Sequence, residues 1–79
     1  MIMAARYIFR VLFKRDKWLV LRDSVELGRY ENKEKATRRA KGLAARLRSS
    51  QVLIFRPNGS IEDRFFNPGK TLSESMAVR

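Results

Sequence analysis

Asn32-Lys33-Glu34-Lys35-Ala36-Thr37-Arg38-Arg39-Ala40-Lys41-Gly42-Leu43-Ala44-Ala45-Arg46-Leu47-Arg48 decides the fold. Ala36, Ala40, Leu43, Ala44 and Leu47 recur at i, i+4, i+7, i+8 and i+11, so at about 100° per residue they fill one arc of a helix. That arc is the core face. Seven of the sixteen residues from Lys33 to Arg48 are basic. On the same wheel Lys35, Arg39, Gly42 and Arg46 fall within about 60° of one another, turned away from the core. Asn32 is suited to cap the helix, Glu34 complements its dipole, and Ser49-Ser50 is expected to end it. Glycine inside a helix costs roughly 1 kcal/mol relative to alanine, so Gly42 in the cationic rail suggests that a partner's backbone or phosphate comes close. The plainer reading is a solvated face that tolerates glycine and charges that keep a small protein soluble.

On either side of this helix the pattern changes to a period of two. Tyr7, Phe9, Val11 and Phe13 alternate with Arg6, Ile8, Arg10, Leu12 and Lys14, a strand with an aromatic inner face. Lys14-Arg15-Asp16-Lys17 forms a polar tip, and Trp18-Leu19-Val20-Leu21-Arg22 is the returning arm. Asp23 to Tyr30 holds turns around Asp23-Ser24 and near Gly28, with room for a short extended piece between them, and no defined element is placed there. Gln51 to Arg56 is the third strand, Pro57-Asn58-Gly59-Ser60 the tight turn with positive φ from Asn-Gly, and Ile61 to Phe65 the fourth strand. The expected fold is α+β in the order β-β-α-β-β, one helix packed on one face of a mostly antiparallel four-stranded sheet. Residues 1–69 form a single small domain in this reading, and 70–79 a loosely held tail.

These residues resemble a family of small bacterial and phage proteins known as domain of unknown function 2188. Tyr7 opening a strand and Trp18-Leu19-Val20 after a polar turn look like its first hairpin. Tyr30-Glu31-Asn32-Lys33-Glu34-Lys35-Ala36, followed by Ala40 and Ala44, is similar to its helix entry. Gln51 to Ile61 with its Asn58-Gly59 turn looks like its closing hairpin, and Phe66-Asn67-Pro68-Gly69 stands where an aromatic-x-Gly ending is common. The resemblance runs from Tyr7 to about Gly69. It implies the β-β-α-β-β order and no activity. The chain departs from the family in lacking the histidine often found near Phe55 or Arg56, and in carrying more Arg and Lys.

Composition then narrows function. Eighteen Lys and Arg against eight Asp and Glu give a formal charge of +10 over 79 residues. Such a field attracts polyanions, with DNA or RNA ahead of an anionic membrane or an acidic protein partner. A domain this small buries only about 60% of its unfolded surface, and with no cysteine to staple it a second copy becomes a plausible source of burial. Histidine is absent as well, which removes the usual zinc ligands and the common general base. No metal or cofactor is expected. Glu62-Asp63 is the one acidic pair that resembles a Mg²⁺ site, but neighbours on a strand point to opposite faces. The expected role is therefore binding, without catalysis. Met1 to Ala5 is too short for a signal-peptide core before Arg6 and Arg10, so a cytoplasmic location is expected.

The candidate nucleic-acid-binding residues are Lys35, Arg38, Arg39, Lys41 and Arg46 on the helix, with Lys14, Arg15 and Lys17 at the hairpin tip expected to clamp beside them. They are suited to phosphates, while nothing identifies a reader of base edges. Tyr7, Phe9, Phe13 and Trp18 are expected in the core. Ile8, Leu12, Leu19, Leu21, Leu53 and Phe55 should share the sheet face that no helix covers, a candidate homodimer or protein interface. A tail folded over that face, or a strongly coiled sheet, is the alternative. Phe55 is the aromatic there most suited to stacking or to an interface contact.

Overall fold

The computed structural model describes residues 6–67. The expected tail at 70–79 lies outside the described residues. Six elements follow one another: β1 (Tyr7–Lys14), β2 (Lys17–Arg22), β3 (Val25–Tyr30), α1 (Lys33–Ala44), β4 (Ser50–Phe55) and β5 (Ile61–Asn67). They build an α+β domain with one helix on a five-stranded sheet of order β3-β2-β1-β4-β5. The sheet is mixed, because β1 pairs with β4 in parallel while every other pairing is antiparallel.

The extra strand accounts for the mixed sheet. With two strands before the helix, the chain would return along β4 antiparallel to β1. A third strand reverses that parity, so α1 carries the chain back to the end where β1 began and β4 starts in the same direction.

β3 is hidden in the sequence by a bulge. Val20 faces Gly28 but Leu21 faces Glu26, which leaves Leu27 as the extra residue and breaks the alternation. Gly28 also looks like a turn. It sits in the strand because the Tyr30 ring lies over it: a Cβ at Gly28 would come within 2.8 Å of the Tyr30 hydroxyl. The opposite edge strand carries a second bulge, since Ile54 faces Asp63 and Phe55 faces Ile61, with Glu62 the additional residue.

Phe9 and Val11 of β1, Val20 of β2, and Val52 and Ile54 of β4 form the core beneath Ala36, Ala40 and Ala44. Small side chains on the helix let its backbone come close to the sheet. Tyr7, Trp18, Tyr30 and Phe65 pack around the edge of this cluster. Phe13 departs from the expected core, being 38% exposed. It lies in the row Phe13, Trp18, Tyr30, where the chain has only begun to turn into the helix, so its cover is the Trp18 ring at 5.1 Å.

The helix begins as expected, with the Asn32 side chain accepting from the Lys35 amide at 2.9 Å. It ends earlier. Past Ala44 the chain tightens, the Arg46 amide donating to the Leu43 carbonyl at 3.2 Å and that of Leu47 to Ala44 at 3.0 Å. The left-handed Ser49, φ 58, then turns it into β4. Here the buried Ser50 hydroxyl donates to the Ala44 carbonyl at 2.7 Å, and the Asn67 side-chain amide donates to the same carbonyl at 2.9 Å. Both closing strands thus hold the helix end. Ser50→Ala should cost about 1 kcal/mol, read from the urea midpoint at constant m-value, because Asn67 keeps that carbonyl satisfied.

Of the turn at Pro57 to Ser60, Gly59 alone takes positive φ, at 94. Proline fixes φ near −65° at its position, which excludes a turn with two left-handed residues starting there. The Gly59 amide instead donates to Arg56 and the Arg56 amide to Ser60, both at 2.8 Å. No helix among the described residues is long and apolar enough to cross a membrane.

Candidate nucleic-acid interface

The helix wheel is realised with one refinement. Lys35, Arg38, Arg39, Gly42 and Arg46 are all exposed. Lys35, Arg38, Arg39 and Gly42, together with the half-buried Tyr30 of β3, line a shallow concavity of about 420 Å³. The rail is therefore the flank of the helix that leans toward β3, with an aromatic wall that the sequence did not disclose. Arg46, expected on the helix, instead lies in the tightened turn that follows α1, outside that concavity.

Lys41 belongs to the other flank. Its ammonium rests 3.7 Å from the centre of the Phe65 ring, a cation–π contact on β5. Lys33 is occupied as well, donating to both oxygens of Glu62 at 2.6 and 2.7 Å. Among the described residues the other ion pairs are Lys17 with Glu31 and Arg29 with Glu26, each at 2.6 Å. None of the described carboxylates pairs with Lys35, Arg38, Arg39 or Arg46. The bond from Lys17, and its charge, hold the Glu31 carboxyl below its ordinary value; Lys35 adds a smaller attraction.

An open position remains at Gly42, where an added Cβ would meet nothing within 4 Å. Gly42→Ala should therefore raise stability by about 1 kcal/mol, measured by thermal or urea unfolding. The same variant reports on the interface. If a ligand's backbone approaches the helix at this gap, affinity falls while stability rises.

The tip residues do not join the rail. Phe13 and Trp18 point toward the helix, so Lys14 and Lys17 stand on the uncovered face of the sheet. There Lys14, Arg15 and Lys17 meet Leu19, Glu26 and Arg29 around a concavity of about 110 Å³. Arg29 was missed in the sequence because its place depends on β3, where it faces Leu19.

The six apolar candidates do share one face. Ile8, Leu12, Leu21, Leu53 and Phe55 are half-buried there, and Leu19 is only 8% exposed. Cations interrupt them: the row Leu21, Arg10, Leu53, Arg64 runs across the middle of the face, with Arg10 donating to the Asp23 carbonyl at 3.1 Å. Phe66, 47% exposed, completes it at the β5 edge. Of the acidic pair, Glu62 is held by Lys33 and Asp63 accepts from the Arg64 amide at 2.8 Å. Among the described residues no three Asp or Glu side chains gather as metal ligands would.

The model of a family of uncharacterized proteins conserved in bacteria, DUF2188, matches residues 9–65. The chain belongs to the DUF2188 family. The match runs from within β1 through α1 and into β5, so the DUF2188 segment contains both the helix concavity and the hairpin tip. No curated protein and no solved structure gives a significant match.

Proposed function

We propose that this DUF2188 protein binds nucleic acid by phosphate contacts from α1, without reading base sequence and without making or breaking a bond. The observation that supports it is the set Lys35, Arg38 and Arg39, exposed around one concavity and paired with none of the described carboxylates. Their charge is left for an external anion. Tyr30 and the gap at Gly42 let a sugar-phosphate backbone approach the helix closely. Arg38 and Arg39 also carry the fork that reads guanine in the major groove, so scrambling the base sequence is what separates phosphate contact from base readout.

A salt series tests this. If Lys35, Arg38, Arg39 and Arg46 each neutralise a phosphate, log K against log salt falls on duplex DNA with a slope of about −3 to −4. Scrambling the base sequence leaves K in place. Failure to bind at low salt, or binding indifferent to salt, rejects the proposal. Duplex and single strands of DNA and RNA, run in parallel, identify the ligand.

A second reading rests on the uncovered sheet face, where Leu53, Phe55 and Phe66 surround Arg64. It makes the protein an interaction module, docking either a second copy or an acidic protein. Light scattering separates these, since a homodimer doubles the mass and Phe55→Ala returns it to that of one chain.

A further inference from the structure

The β1–β2 turn is built against its own stability. Arg15 and Asp16 both hold left-handed backbone, φ 53 and 66. A hairpin turn of this type favours Asn-Gly, whereas arginine meets a steric penalty there. Immediately before and after the turn, Lys14 and Lys17 are Cα partners, so two like charges stand opposite each other. Glu31 offsets Lys17 at 2.6 Å. No described carboxylate pairs with Lys14 or Arg15. Arg29 enters the same small concavity from β3, with Leu19 beside it. Local rules are broken at Arg15, which holds a left-handed backbone, and at the opposed Lys14 and Lys17, each time in favour of positive charge, a pattern that points to contact with a partner.

This cluster and the helix concavity face opposite sides of the sheet. A stiff duplex, with a persistence length of about 150 base pairs, does not fold around so small a domain to touch both. We infer that the hairpin tip is a second phosphate-binding surface and that one molecule bridges two nucleic-acid segments, one on the helix and one on the uncovered sheet face. This rests on the phosphate-binding reading of α1 and adds a joining activity to it. The shared chemistry carries it: Lys35, Arg38 and Arg39 on one side, and Lys14 and Arg15 on the other beside the Arg29–Glu26 pair, are exposed at a small concavity and paired with no described carboxylate, and the regular charges of a polyanion suit both.

The experiment uses biotinylated duplex DNA on beads and a fluorescent duplex in solution, at low salt. Wild-type protein is expected to retain the fluorescent duplex on the beads. The double variant Lys14→Gln/Arg15→Asn removes two cations, while asparagine accepts the left-handed turn and the opposed lysines are relieved, so the fold survives; a melting curve verifies it. Capture should fall about tenfold or more with the loss of two-site attachment. Affinity for one free duplex should fall only about twofold, the statistical share of one of two equal sites. Wild-type binding without capture overturns the inference and leaves the tip to another anionic partner. Undiminished capture by the double variant also overturns it, because bridging would then come from a dimer carrying two helix sites. If the wild type binds no duplex at all, the reading of α1 fails, and bridging with it.

Discussion

Phe9→Ala is expected to destabilise the domain by about 3–5 kcal/mol, enough to leave much of it unfolded. Phe9 is 1% exposed and sits in the central strand, paired on one side with Arg22 and on the other with Val52. It belongs to the cluster that contains Ala36, Ala40 and Ala44, and none of these alanines has atoms to spare for the cavity the truncation leaves. A chain of 79 residues has a total stability of about 4–12 kcal/mol at ordinary values per residue. The measurement is urea unfolding followed by circular dichroism and Trp18 fluorescence. Phe13→Ala is the control on the same strand and face. Its ring is 38% exposed and covered mainly by Trp18, so it should cost about 1 kcal/mol. Equal costs at the two positions would overturn this account of where the core ends.

Arg38→Gln with Arg39→Gln, made in the Lys14→Gln/Arg15→Asn background so that only the helix site remains, is expected to lower duplex affinity about 60-fold at 0.1 M salt, if the non-electrostatic part of binding is unaffected. Each lost phosphate contact removes about 0.9 from the slope of log K against log salt, and two such losses give 1.8 decades at that concentration. The slope itself should become shallower by about 1.8. Both side chains are exposed and make no described ion pair, so the melting temperature should barely move. A uniform loss across DNA sequences supports phosphate contact; a loss confined to one sequence indicates base readout instead. An unchanged slope removes these arginines from the interface.

Much of this was legible in the residues. Alternation from Tyr7 to Lys14 identified both faces of β1, and the alanines at 36, 40 and 44 identified the face of α1 that meets it. The same alternation set Lys14 beside Ile8 and Leu12, away from the helix, and so was already at odds with the expected clamp of the tip beside the helix rail. What escaped was β3, because the bulge at Leu27 breaks its periodicity and Gly28 resembles a turn until Tyr30 is seen lying over it. From that omission came the parallel β1–β4 pairing, the tyrosine wall of the helix concavity, and Arg29 beside the tip. Lys41 and Lys17 were legible as cations but not as occupied ones, since Phe65 and Glu31 reach them only through the folded chain. A wheel shows which way a side chain leaves the helix. It cannot show which neighbour meets it.

The irregular pairing at Leu27 and at Glu62 lies on the two outermost strands. A growing fibril needs a flat border on which the next chain can lay down an unbroken ladder of hydrogen bonds. Here each border is kinked by an unpaired residue, and at one of them Glu62 is turned to Lys33. Edge-to-edge addition of further chains into filaments is therefore discouraged.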